Sequence, residues 1–263
     1  MPKNCNLHFL LVGFIMNILI SNDDGIDAEG IRILAKTLAK AHNVTVVAPK
    51  NEMSASSHAI TIHTTVSLKE VPFEDGIKAY SLSGTPADCV KFALSYFDSQ
   101  NFDVVVAGIN RGSNTGTDVL YSGTVSCAAE AVALNYKGIA VSCVGRTNSK
   151  YKEAADFILK NLEEFCSLDL KNTILNINIP KDEIIGSVYT KLGLMLYNDK
   201  YHLIEDGQEK VFRLLGEVID HDGNDEDCDV EYVKKGFITV TPILCSYTNF
   251  EVLKDLKENG KLR

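Results

Sequence analysis

Five strand-like segments, most of them continuous apolar runs and all spaced by helical stretches, constrain this chain more than anything else in it. They lie at 18–21, 44–48, 102–107, 139–144 and 173–179. Between the first two, Ile31, Leu34, Ala35 and Leu38 recur at i, i+3, i+4 and i+7, so the spacing predicts a helix over 28–41. Thr85-Pro86-Ala87-Asp88 supplies a capping residue, a proline at the first helical position and an acid in the first turn, which opens a helix through Phe97. A further helix starts near Gly123, with Val125, Ala128, Ala129 and Val132 on one face, and another spans about 152–165. Strands that are apolar at consecutive positions need cover on both faces, and strands alternating with helices run parallel. The prediction is an α/β fold: a Rossmann-like, doubly wound, mostly parallel sheet in three αβα layers.

Two regions break the alternation. Residues 59–69 and 77–82 read as an extended hairpin within a core over 16–180. After Pro180 the helical alternation stops, and residues 181–263 read as a β-rich and helical appendage that serves oligomerisation, with a last helix at 250–259. The acidic stretch 220–229 lacks the glycine and terminal glutamate placement of an EF-hand loop and reads as a solvated turn. Residues 1–15 read as an extension outside the fold, with Met16 as an internal start. The apolar run 8–16 is too short for a bilayer and has no small-residue cleavage site. None of the seven cysteines is spaced Cys-x-x-Cys, which excludes a zinc ribbon and argues against a disulfide framework; a reducing cytoplasm is expected. With 35 acidic against 26 basic residues, the net charge of −9 argues against binding a nucleic-acid polymer. An acidic protein that handles phosphate needs a metal ion or aligned backbone N–H groups.

Ligands of open parallel sheets bind at the carboxyl ends of the strands, where three polar clusters fall. The first is Asn22-Asp23-Asp24-Gly25. The adjacent carboxylates repel by about 4 kcal/mol at an effective dielectric near 20, so a cation is expected beside them, although the same residues also suit a plain turn. Oxygen-only ligation points to Mg²⁺, Mn²⁺ or Ca²⁺ rather than zinc. The second cluster runs from Ala48 through Ser54 to His58, and His58 is a candidate acid or phosphate contact. The third, over 108–124, is rich in glycine and asparagine. Its Ser122-Gly123-Thr124 opens a helix whose N–H groups and dipole suit an anion, while an ordinary Ser122 cap explains the same residues. A Walker lysine motif, Gly-x-Gly-x-x-Gly and Gly-x-Ser-x-Gly are all lacking, which disfavours P-loop hydrolysis, dinucleotide redox chemistry and serine hydrolysis.

Taken in order, Ile18-Leu-Ile-Ser-Asn-Asp-Asp-Gly-Ile26, Val47-Ala-Pro49, Ser83-Gly-Thr-Pro-Ala-Asp-Cys-Val90, Gly108-Ile-Asn-Arg-Gly-Ser-Asn-Thr-Gly116 and Tyr121-Ser-Gly-Thr-Val125 resemble the SurE survival-protein family of metal-dependent 5′-nucleotidases. A weaker echo runs from Asp229 to Pro242, with Cys228 where the family usually has threonine. The resemblance implies one Mg²⁺ or Mn²⁺ per subunit on Asp23, Asp24, Ser54 and Asn110, with Ca²⁺ able to take the same place in a crystal. Asp23 and Asp24 are the expected catalytic pair. Asn22, Gly112, Ser113, Asn114, Ser122, Gly123 and Thr124 are the expected substrate and phosphate contacts. It also implies a nucleoside monophosphate substrate, with 3′-nucleotides and short polyphosphate as further ones, a cytoplasmic homodimer or homotetramer, and no membrane partner. Direct attack by water, with Asp23 taking its proton, and an aspartyl-phosphate route both remain open. So does a different class of function: a non-catalytic nucleotide or metal sensor built on the same loops. A receiver-like phosphoacceptor domain fits less well, given the chain length and the second and third loops.

Overall fold

Both faces of the apolar runs are covered. A computed structural model describes residues 14–74, 76–145, 150–219 and 223–260. In chain order it contains β1 (Asn17–Ser21), α1 (Glu29–Leu38), β2 (Asn43–Pro49), β3 (Leu68–Glu70), β4 (Lys78–Leu82), α2 (Pro86–Tyr96), β5 (Val104–Arg111), α3 (Gly123–Ala133), β6 (Lys137–Cys143), α4 (Tyr151–Ser167) and β7 (Thr173–Ile179). The chain continues through β8 (Gly186–Tyr189), β9 (Leu196–Tyr197), β10 (Lys200–Asp206), β11 (Lys210–Leu215), β12 (Val218–Ile219), α5 (Asp229–Lys234), β13 (Phe237–Leu244) and α6 (Phe250–Asn259).

The main sheet runs β3-β4-β2-β1-β5-β6-β7-β13-β8. Every neighbouring pair from β4 to β7 is parallel. Taken by order of appearance those six strands read 3-2-1-4-5-6, the doubly wound arrangement, with its switch point between β1 and β5. Alternate side chains serve opposite layers: Ile18, Ile20, Val104 and Val106 join α1 and α4 in one core, while Leu19, Val47, Val105 and Ala107 join α2 and α3 in the other. That two-sided burial is why the runs are continuously apolar rather than alternating.

Two expectations change. The hairpin is confined to β3 and β4, residues 59–67 carry no strand, and β4 is also the third parallel strand of the core. Nor is the region after 180 wholly an appendage, since β13 pairs antiparallel with β7 and β8 pairs with β13, extending the main sheet. Only β9 to β12 form a separate arm. The extension 1–15 lies outside the described residues up to position 13, as does 220–222 of the acidic stretch. Asp229, read as solvated, is fully buried. The six cysteines in the described residues are free, and no helix there is long and apolar enough to cross a membrane.

Candidate metal and phosphate site

Three loops leave the sheet at the carboxyl ends of β1, β2 and β5 and lock together. Asn22 holds the first loop, donating from its side-chain amide to the Gly25 carbonyl (2.9 Å) and accepting the Gly25 N–H (3.2 Å). The Asp23 carbonyl accepts the Met53 N–H of the second loop at 2.8 Å. Asp24 Oδ2 accepts the Arg111 N–H of the third at 3.0 Å. The second loop is tied to the third by Ser57, whose N–H reaches the Tyr121 carbonyl (3.0 Å) and whose hydroxyl reaches that of Leu120 (2.8 Å).

The loops enclose a cleft of about 240 Å³. Of the residues expected at a site, Asp23, Asp24, Ser54, Asn110, Ser113, Asn114 and Ser122 line it. Asp23 is only 6% exposed. Its Oδ1 accepts the Thr124 hydroxyl at 2.5 Å, and the N–H groups of Gly123 and Thr124 also face its carboxylate. Burial raises its pKa against those donors. Burial and the neighbouring Asp23 charge push Asp24 up to about 6, against the pull of Arg111. Asn110 commits its amide nitrogen to the Gly112 carbonyl (2.9 Å), which leaves its carbonyl oxygen as the available donor to a cation. The Ser54 hydroxyl donates to Glu52 Oε1 at 2.7 Å.

The remaining candidates serve differently from what was expected. The anion received by the N-terminus of α3 is the Asp23 carboxylate, so Gly123 and Thr124 orient that side chain. The Gly112 N–H donates to the Cys143 carbonyl (3.0 Å) and the Asn114 N–H to Asn178 Oδ1 (2.8 Å), so both backbone donors are already committed. Asn22 holds its turn and does not line the cleft. His58 lies elsewhere: its Nε2 is 2.8 Å from Glu130 Oε2, and it lines a separate, mainly apolar cavity with Val125 and Ile243. Lys91 completes that cluster at 2.7 Å from Glu130; burial raises the Glu130 carboxyl, but the hydrogen bonds from His58 and Lys91 outweigh it and hold it below its ordinary range.

Gly123 is set by close approach. A Cβ there would stand 2.7 Å from Asp23 Cβ and 2.9 Å from Ser56 Oγ. Gly123→Ala should therefore destabilise the fold by about 1–3 kcal/mol through overpacking and displace Asp23. A thermal melt unchanged from wild type would contradict that contact.

Glu52, Arg111, Asp118 and Tyr121 also line the cleft and were missed in the sequence. Arg111 had a signal, as the one basic residue inside the quoted third-loop motif of an acidic protein. Asp118 had none, because its approach depends on a short 3-10 turn over Gly116–Leu120.

Among the described residues no three His, Cys, Asp or Glu side chains gather as a metal cluster. A cation at the cleft would find the Asp23 and Asp24 carboxylates together with serine and asparagine oxygens on its walls. That oxygen-only set, and a carboxylate pair whose ionisation burial opposes, fit a hard divalent ion.

The chain matches the family model described as Survival protein SurE over residues 18–199. It is 44% identical over 250 residues to the 5′-nucleotidase SurE of Clostridium botulinum (strain Langeland / NCTC 10281 / Type F), covering 92% of this chain and 98% of that one. Identity to the 5′-nucleotidase SurE of the Alaska E43 strain is 41% over 253 residues, covering 92% and 99%. A crystal structure of the SurE protein from Aquifex aeolicus aligns with a TM-score of 0.77 at 30% identity, covering 93% of this chain and 100% of that chain.

Proposed function

The chain belongs to the SurE survival-protein family, and from that premise we propose that it is a divalent-metal-dependent phosphatase that hydrolyses nucleoside 5′-monophosphates to nucleoside and phosphate. The observation that carries this reading is the Asp23–Asp24 pair, held at a switch-point cleft with Ser54 and Asn110 on its walls. Those four residues would hold one Mg²⁺ or Mn²⁺ per subunit. When bound, the ion supplies charge to polarise a phosphoryl oxygen and to make a water more acidic.

The chain's own groups do the rest. Thr124 and the start of α3 fix Asp23, so this ligand needs no reorganisation when substrate arrives. The Arg111 N–H fixes one oxygen of Asp24, leaving the other for a proton or a ligand bond. Ser113 and Ser122 stand at the cleft wall as phosphate donors, and the Ser122 hydroxyl, which caps α3 by accepting the Val125 N–H at 3.0 Å, keeps its own proton to give. The same cleft admits 3′-nucleotides and short polyphosphate, because it recognises the phosphoryl group.

Assembly into a homodimer or homotetramer in the cytoplasm belongs to the same proposal. The β10–β11 hairpin exposes Leu203, Ile204, Phe212, Leu214 and Leu215, and α6 exposes Phe250, Val252 and Leu256 while burying no residue. A two-stranded hairpin is marginal alone, and an unpartnered apolar face marks an interface.

Phosphate release from AMP, GMP and p-nitrophenyl phosphate, with and without Mg²⁺ or Mn²⁺, tests the function. We expect release that disappears with EDTA and returns when metal is added back. Tight nucleotide binding without release under any metal would replace the phosphatase by the sensor reading.

A further inference from the structure

A phosphate monoester carries nearly two negative charges near neutral pH, yet the cleft walls hold Asp23, Asp24, Glu52 and Asp118. Among the described residues that line it, Arg111 is the one cation. The two ends of this residue are held very differently. Its backbone closes β5 and donates to Asp24 Oδ2 at 3.0 Å, directly after Asn110. Its side chain is 48% exposed and, among the described residues, its one ion pair is with Glu52 Oε2 at 3.6 Å, a loose and wet pair of the kind that contributes little. Glu52 uses its other oxygen to accept the Ser54 hydroxyl at 2.7 Å. One carboxylate thus touches both a metal-ligand candidate and the cleft's cation.

Resting on the phosphatase reading above, we propose that Arg111 is the cationic phosphoryl-binding residue of this cleft and that Glu52 holds it between turnovers. On substrate entry the guanidinium leaves Glu52 Oε2 for two non-bridging phosphoryl oxygens, a match its planar fork makes bidentately. The same contact strengthens as charge spreads over the equatorial oxygens in the transition state. Glu52 keeps Ser54 oriented through Oε1 throughout. Arg111 is thus a substrate-contacting residue and Glu52 a positioning residue that competes with phosphate for it. Their removal should shift phosphate binding in opposite directions.

The test uses the full chain loaded with Mn²⁺. It reads kcat and KM for AMP, inorganic phosphate affinity by calorimetry, and Mn²⁺ affinity by titration. Arg111→Met should lower kcat/KM by about 10²-fold, the loss typical of one transition-state donor. It should also weaken phosphate binding by about tenfold, while Arg111→Lys recovers only part because a point charge replaces a fork. Mn²⁺ affinity should not fall in step with these losses, since the backbone N–H to Asp24 survives both substitutions. Glu52→Gln keeps an acceptor for Ser54 and should tighten phosphate binding. The inference is overturned if Arg111→Met binds phosphate like wild type, if its losses track an equal loss of Mn²⁺ affinity, or if Glu52→Gln weakens phosphate binding. Calorimetry separates this from the functional reading. Wild type that binds phosphate through Arg111 but releases none from AMP would refute the phosphatase and uphold the clamp, and turnover that ignores Arg111 would do the reverse.

Discussion

Asp24→Asn should lower phosphate release by about 10³-fold or more and, at the same time, make the metal-free protein more stable at pH 7.5. The two effects share one cause. Burial and the Asp23 charge raise the Asp24 carboxyl to about 6, above its ordinary unfolded value near 3.9. A raised acid binds more protons folded than unfolded, so its stabilising contribution is complete below about pH 4 and is lost as pH rises through 6. Above that, metal-free wild type folds around an ionised, partly buried Asp24 beside Asp23, with no metal to offset the charge. The amide removes the charge and keeps an acceptor for the Arg111 N–H. Discounted for partial exposure, the gain is about 1 kcal/mol, or roughly 2–4 °C in a chain of this size. A divalent cation should stabilise wild type more at pH 7.5 than at pH 5, where protons compete for the same oxygens, and should leave the variant's melting temperature nearly unmoved. An active Asp24→Asn enzyme, or one that melts below metal-free wild type at pH 7.5, would defeat the assignment.

The fold was legible because both signals that encode it are local. Continuous apolar runs state that strands are buried on two sides, and helical periods between them state that neighbours run parallel. The site was legible in part because doubly wound topology places loop chemistry at one sheet edge wherever the loops lie in sequence. Asp23, Asp24, Ser54 and Asn110 do meet there. What sequence could not give was the allocation of hydrogen bonds. Nothing in Gly112-Ser113-Asn114 says that two of its three N–H groups are taken by Cys143 and Asn178. Likewise, the helix start at Gly123 invites an anion, and only the packed structure reveals that the anion is Asp23. Isolation also misled: His58 reads as a candidate acid until Glu130 and Lys91, distant in sequence, are seen beside it. The strand β13 was misplaced for a related reason, because its partner β7 lies across the whole arm in sequence.

Asp229 shows how far that hidden allocation reaches, and its removal should cost the fold several times what Asp24→Asn gains it. Its Oδ2 accepts the Gly116 N–H at 3.0 Å, and its Oδ1 accepts those of Gly193 at 2.7 Å and Val230 at 2.9 Å. Burial raises its pKa and those donors oppose the shift. The carboxylate therefore joins the end of the third cleft loop, the root of the β9–β12 arm and the start of α5. Asp229→Ala leaves the Gly116 N–H without an acceptor in a buried place and the Gly193 N–H without one in a half-buried place. At about 1–3 kcal/mol for each orphaned group, the loss is about 3–5 kcal/mol, a large share of ordinary domain stability. That corresponds to roughly 10 °C in melting temperature. Asp229→Asn keeps one acceptor oxygen but turns an amide N–H toward a backbone donor, so it should fall between wild type and alanine. Because Gly116 closes the loop that carries Ser113 and Asn114, kcat/KM should fall in the alanine variant even at temperatures where it remains folded. A variant that melts within a degree or so of wild type would mean that Gly116 and Gly193 find other acceptors, and that the arm and the cleft are not joined through this carboxylate.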